Sequence, residues 1–343
     1  MSRNFGKQMK IAILGTVVYD DIITHLGEHR QSYGGITYNV AALGSLVDEN
    51  TELVPIAQVG TDRYDEVVEL FRSFGRISTD GMNRMPDRKT PMVKLRFTSI
   101  TARTENLLYV PPPLTADQLA LAAECDIVLV NFITGQELDA NALYSLGRDV
   151  KKRDGHLHVD IHNSISEWTE SGEREFVGLR DWRKWVAQAT TVQMNEFEVE
   201  HVLHRPVRGS DEYLAAAAEI AAAGPRGVMI TLGPQGSVLA YHRDDGIYGC
   251  VWPAADLGTV IDTTGCGDSF SAGFVWFYLQ NRDMVYANAA ANVVGDINCI
   301  TPGIGNLQRA REMPDLLPQA FGERVERLTS GWVGHRLSGE SEG

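Results

Sequence analysis

The chain has 343 residues, 43% of them hydrophobic, and a formal net charge of -14. That length and apolar content suit one large α/β domain or two smaller ones and exclude general disorder. The acidic balance argues against a broad nucleic-acid-binding surface; an acidic enzyme that binds nucleotide phosphates needs local positive potential from helix N-termini, a few Lys/Arg side chains or a metal ion.

Residues 1–10 are polar, and the apolar run 11–14 is too short for a secretory signal or a membrane span, so a cytoplasmic chain with no membrane partner is expected. In chain order, strands are predicted at 10–15, 54–59, 126–131, 156–161, 191–194 and 227–232. Helices are predicted between many of them, at 38–46, 64–74, 116–123, 140–153 and 212–223. Strands alternating with helices indicate an α/β fold with a doubly wound, mostly parallel sheet flanked by helices. Ligands in such sheets sit at the carboxyl ends of the strands. Two stretches break the alternation, 22–33 and 90–109. In the second, Met92, Lys94, Arg96 and Ile100 show partial period-two character, and Pro111, Pro112 and Pro113 close it. Both read as β segments projecting from the main sheet, at about 20–35 and 90–111, as a small lid or an edge-pairing surface. Residues 1–330 then form one domain, and 331–343 a polar C-terminal tail. The four cysteines, Cys125, Cys250, Cys266 and Cys299, lack CxxC spacing and read as reduced thiols.

The richest segment is 261–274. Val260 and Ile261 read as the end of a strand, and Phe270, Phe274, Phe277 and Tyr278 then recur at helical spacing. Between them lies Gly265-Cys266-Gly267-Asp268, a tight turn at a helix start. Unpaired N–H donors and the helix dipole make such an end an anion site, and Asp268 is placed to take a proton from an attacking hydroxyl. Other glycine-rich or polar segments follow predicted strands: Asp20 and Asp21, then Gly34-Gly35 with Asn39, then Asn195-Glu196-Phe197-Glu198, then Thr231-Leu232-Gly233-Pro234-Gln235-Gly236. Asn and Glu three apart share a helix face.

Four elements in this order, the double glycine, Asn-x-x-Glu, Thr-Leu-Gly-x-x-Gly and the Asp-Thr-x-Gly-x-Gly-Asp of 262–268, resemble the ribokinase (PfkB-type carbohydrate kinase) family over about residues 10–307. The resemblance implies a ribokinase-like fold and ATP-dependent transfer of a γ-phosphoryl group to a hydroxymethyl group, an unphosphorylated sugar being the default acceptor. It implies Asp268 as base, with Gly265, Cys266 and Gly267 as the anion hole. It implies that Asp20, Gly35 and Asn39 hold the acceptor, and that Asn195 and Glu198 organise magnesium through water. Thr231, Gly233 and Gly236 match the loop beside the nucleotide, and Asn292 falls where the family places a residue against the base or ribose. Asp262 and Thr264, with 301–303, resemble a monovalent-cation (potassium) loop. The projecting strands imply a homodimer.

Three departures stand out. Cys266 replaces the family's small residue and reads as a packed thiol. Tyr64 stands where the family usually has glycine. The 160–164 segment lacks the family's Arg. Ile36, Tyr38 and Phe132 suggest a partly apolar pocket suited to a nucleoside, whereas Lys94, Arg96 and Arg103 suit a phosphorylated sugar. A catalytically silent sugar- or nucleotide-binding regulator is the reading of another class. His158, Asp160 and His162 alternate like metal ligands but read as a polar strand end beside the cleft. Trp168, Trp182 and Trp185 read as helix packing rather than a nucleic-acid stacking surface. The Rossmann fingerprint and the Walker A motif are both missing.

Overall fold

The computed structural model describes residues 8–99 and 102–338. In chain order the first half runs β1 (Met9–Leu14), β2 (Val17–Ile23), β3 (His29–Gly35), α1 (Thr37–Leu46), β4 (Thr51–Gly60), α2 (Tyr64–Arg72), β5 (Met82–Met85), β6 (Met92–Phe97), β7 (Arg103–Leu107), α3 (Ala116–Ala123), β8 (Ile127–Asn131), α4 (Ala140–Lys152) and β9 (His156–Asp160). The second half runs β10 (Ser166–Trp168), β11 (Arg174–Phe176), α5 (Trp182–Val186), β12 (Thr191–Asn195), α6 (Glu196–Leu203), α7 (Gly209–Ala221), β13 (Gly227–Thr231), β14 (Ser237–Arg243), β15 (Gly246–Trp252), α8 (Cys266–Asn281), α9 (Met284–Cys299), α10 (Met313–Phe321), α11 (Val325–Thr329) and β16 (His335–Ser338).

Ten strands form one sheet in the order β16-β15-β14-β13-β12-β9-β8-β1-β4-β5. The run from β13 to β5 is parallel, and β14, β15 and β16 add antiparallel to one side. Alternation within β1 shows why helices cover both faces. Ile11 and Ile13 pack on one side with residues of α1, α8 and α9. Ala12 and Leu14 pack on the other with residues of α4, α6 and α7. The sheet is therefore doubly wound, as expected.

The predicted helix at 116–123 is α3 to the residue, held by a Thr115–Gln118 capping box. The first-strand and 126–131 strand predictions fall within a residue of β1 and β8. The stretches that broke the alternation form a separate four-stranded sheet, β3-β2-β6-β7, in which β2 and β6 are parallel neighbours. Ile100 lies outside the described residues. The expected tail departs from its prediction: His335–Ser338 pairs with β15 and extends the sheet, because β15 otherwise presents an unpaired edge. Val260 and Ile261 are not a strand. They are exposed, and the N–H of Ile261 is bonded to Cys299 O at the end of α9. Among the described residues no helix is long and apolar enough to cross a membrane.

Candidate active site

One cavity of about 200 Å³ opens between the carboxyl ends of the central strands, the four-stranded sheet and the start of α8. The ends of β8, β9 and β12 bring Asn131, Asp160 and Asn195 to this level. Gly265, Gly267 and Asp268 line the cavity together with Asp20, Gly35, Asn195, Glu198, Thr231 and Thr264.

Gly265 caps α8 with φ of 78°, and a Cβ there would lie 2.2 Å from the Tyr38 ring. Only glycine satisfies both demands, left-handed backbone and contact with a buried aromatic ring. The first-turn N–H groups of Gly267 and Asp268 have no carbonyl partner on the helix. The N–H of Cys266 instead turns back to Thr263 O at 3.4 Å.

Asp268 is buried yet faces the cavity. Asn131 Nδ2 donates to its Oδ1 at 2.6 Å, and His162 Nδ1 stands 3.9 Å from the same oxygen. His162 Nδ1 lies 3.1 Å from Asn131 Oδ1, which fits a ring protonated at that nitrogen. Burial raises the Asp268 carboxyl above an ordinary aspartate, with His162, the Asn131 bond and Arg103 opposing it. Asp160 is pushed up to about 8, by burial first and by the Asp268 charge second. Glu198 is raised by burial and by Asp160. Three carboxyl groups share a poorly solvated space, offset only in part by His162, Arg103 and Arg174.

Asn195 and Glu198 form a capping box. Asn195 Oδ1 accepts from the N–H groups of Phe197 and Glu198, while Glu198 accepts from Asn195 N at 2.8 Å and Nδ2 at 2.6 Å. The pair thus stabilises its own helix and also faces the cavity. Hard oxygen donors with uncompensated negative charge fit a magnesium ion held through water. Among the described residues no three His, Cys, Asp or Glu side chains converge as metal ligands. Thr264 Oγ1 is buried and, among the described residues, has no hydrogen-bond partner, while Asp262 Oδ1 accepts from Thr264 N at 2.9 Å. That orphaned hydroxyl fits a cation-binding loop.

Several predicted roles need correction. Asn39 is fully buried and is not among the lining residues. Its Nδ2 donates to the Asp268 carbonyl at 2.8 Å and its Oδ1 accepts from Asn131 at 2.9 Å. Asn39 ties α1 to α8 and to the end of β8. Cys266 does not line the cavity, and it is not a reduced thiol. It is joined to Cys299 across a sequence separation of 33, because α8 and α9 pack antiparallel and bring the start of one beside the end of the other. Cys125 and Cys250 are free and buried. Gly236 has φ of 93°, and a Cβ there would meet Trp252 O at 2.1 Å, so its glycine serves the turn into β14. At Gly233 nothing lies within 4 Å, which leaves that backbone open. Asn292 Nδ2 is committed to Ser237 Oγ and Asn288 O, both at 2.8 Å.

The apolar wall also differs. Of the expected residues Tyr38 lines the cavity, whereas Phe132 packs on Trp185 in the opposite core and Ile36 is sealed; Val18, Val93, Leu95 and Ile133 complete the apolar lining. Trp168 lines it too, with Nε1 donating to Thr134 O at 2.8 Å, so it is no helix-packing residue. Tyr64 donates to Met82 O and faces elsewhere. His158 is a neutral core residue bonded to Thr191 and Ser271, its ring pushed down to about 3 by burial.

Sequence reasoning missed Asn131 and Gln193. Gln193 Nε2 donates to Gly267 O at 3.0 Å and to Asp160 at 3.2 Å, and so steadies the turn. Their only signal was polarity within otherwise apolar strands near the carboxyl end.

The sequence profile of the pfkB family carbohydrate kinases matches residues 9–310. The chain belongs to that family. It is 23% identical over 303 residues to the 2-dehydro-3-deoxygluconokinase of Haemophilus influenzae, covering 84% of this chain and 92% of that one. Similarity to the Arabidopsis thaliana ribokinase is 28% over 114 residues, 32% of this chain and only 29% of the ribokinase's length. The solved structure of Arabidopsis thaliana ribokinase complexed with ribose and ATP superposes with a TM-score of 0.69 at 17% identity, covering 91% of this chain and 99% of that one. The pfkB chain described here therefore has the ribokinase fold.

Proposed function

We propose that this protein transfers the γ-phosphoryl group of ATP to a hydroxymethyl group of a small sugar. The observation that carries the reading is that Asp268, the open first turn of α8, and the acceptor residues Asp20 and Gly35 all face one cavity. The acceptor hydroxyl gives its proton to Asp268. Its oxygen then bonds the γ-phosphorus as the bond to the β-phosphate oxygen breaks, and ADP leaves with that electron pair. The N–H groups of Gly267 and Asp268 offset charge on the transferring group. The protein supplies positioning and electrostatics and forms no covalent intermediate.

Asn195 and Glu198 are the residues that would hold magnesium through water, and Asp262 and Thr264 those that would hold potassium. Magnesium, when bound, neutralises charge on the donor's phosphates. Thr231 and Gly233 are the residues proposed beside the nucleotide. The four-stranded sheet is proposed to act as the lid and as the contact of a homodimer. Among the described residues its β3 edge is unpaired, and Ile23 at the end of β2, Leu26 between β2 and β3, and Leu108 just after β7 at the other edge are exposed. We place the enzyme in the cytoplasm, with sugar or nucleoside as its small-molecule partner and no nucleic acid.

The test is ADP release with a panel of sugars and nucleosides, using wild type and Asp268→Asn. The variant is expected to fold, bind nucleotide and lose at least about a hundredfold in turnover. Unchanged turnover removes Asp268 from the mechanism; binding without turnover by the wild type makes the protein a sensor.

A further inference from the structure

The acceptor half of the cavity contains one basic side chain that the reading above leaves without a task. Arg103, from β7, lines the cavity near Asp20. Its Nε donates to Glu105 Oε1 at 2.7 Å. Among the described residues its Nη groups donate to no protein acceptor. Glu105 is meanwhile shared: its other oxygen meets Arg174 Nη1 at 2.9 Å, and that nitrogen also donates to Asn163 Oδ1. One carboxylate is thus shared by two guanidinium groups, and the Asp20 and Asp262 carboxyls act on Arg103 only through space. Arg174 does not line the cavity. Arg103 therefore lines the cavity with its guanidinium held at Nε and, among the described residues, its Nη groups without a protein acceptor.

A neutral acceptor leaves those N–H groups without a charged hydrogen-bond partner in a partly desolvated pocket, a costly arrangement. An anion satisfies them, and a planar carboxylate matches the fork of the two Nη groups. A phosphate is the poorer fit. Lys94 is exposed, and Arg96 is spent on Asp21, donating to its carbonyl at 2.7 Å and to its Oδ2 at 2.8 Å. Arg103 is therefore alone among the three basic residues of this region in facing the cavity. The remaining ionisable lining residues are the acids Asp20, Glu105, Asp160, Glu198 and Asp268, with Tyr38 and with His162, whose ring burial holds below its ordinary value. A dianion would face one guanidinium against that field. Burial pushes Asp20 up to about 8, so it meets an anionic acceptor near neutral pH as an uncharged hydrogen-bonding group.

We propose that the acceptor is a sugar acid, its carboxylate seated on the free edge of Arg103 and its hydroxymethyl group at Asp268. The proposal deepens the kinase reading and rests on it. Arg103 is a specificity residue, remote from the transferring phosphoryl group, that orients the acceptor by its far end.

The experiment compares ADP release from aldonic and 2-oxo-aldonic acids, neutral aldoses and ketoses of equal carbon number, sugar phosphates, and nucleosides. It uses wild type, Arg103→Gln and Arg103→Lys, each checked for an intact melting transition. Thermal shift with each acceptor is measured in parallel. Wild type is expected to prefer a sugar acid over the matched neutral sugar. Arg103→Gln should raise the KM for the acid about 10- to 100-fold with a smaller change in kcat, and Arg103→Lys should recover part of the loss. A neutral sugar, sugar phosphate or nucleoside turned over best, or an acid KM indifferent to Arg103→Gln, overturns the proposal while leaving the kinase standing. If no acceptor releases ADP, the kinase reading fails. The anion site then stands only if a sugar acid stabilises wild type but not Arg103→Gln, and it falls if neither shifts.

Discussion

Asn131 Nδ2 donates to Asp268 Oδ1 at 2.6 Å, joining the end of β8 to the first turn of α8. The same amide reaches Asn39 Oδ1 at 2.9 Å, so both its donors are spent. A bond of this kind favours the ionised carboxylate and holds it in one rotamer. Asn131→Ala is expected to lower kcat about tenfold or more and to move the acid limb of the pH profile upward, since a bond to the charged form is lost. A pH–rate profile of the variant checks both; a limb in the wild-type place shows the bond to be incidental.

The wild-type profile has its own signature. A base works ionised, so activity falls as pH drops through its pKa. Burial raises Asp268, which puts the acid limb above that of an ordinary aspartate. Asp160, pushed up to about 8, and the raised Glu198 repel one another and Asp268. A divalent cation beside them favours their charged forms, so rising magnesium should shift the limb to lower pH. A limb that stays fixed across a magnesium titration would separate these acids from the metal.

Gly265 and Gly267 differ in what they tolerate. Gly265→Ala places a methyl 2.2 Å from Tyr38 at positive φ, and should cost about 2–4 kcal/mol of stability as well as turnover. Gly267→Ala meets only Gln193, at 3.6 Å, and should leave the melting temperature near that of wild type while testing access to the first-turn N–H groups. Denaturant unfolding of the two variants decides; equal losses contradict the packing described.

The Cys266–Cys299 bond closes a loop of 33 residues between the two longest helices. Cys299→Ser should lower stability by about 2–4 kcal/mol under oxidising conditions and change nothing once reductant is present. A thiol titration showing four free cysteines in the oxidised protein would disprove the linkage.

The outline of this molecule was legible because it rests on local signals. Apolar runs of four residues mark β1 and β8, and shorter apolar or alternating stretches between helical periods mark β9, β12 and β13. Thr115-x-x-Gln118 starts α3 by itself. The segment 237–252 departs from the strand–helix alternation, since β14 adds antiparallel to β13 and β15 to β14 with no helix between them. Asn39 looked like a ligand contact because an amide one turn into a helix is free until another element arrives. Here α8 and β8 arrive.

What the sequence determined alone is the parallel α/β frame, the glycine-bounded start of α8 and the carboxylate at its third position, since backbone preference and apolar period act over a few residues. The tertiary structure decided which polar groups share the cavity, that Arg103 faces it while Arg96 does not, and that two cysteines meet. Those outcomes depend on strand order and on contacts across more than thirty residues, and a side chain's neighbours across a crossover leave no trace in the local pattern.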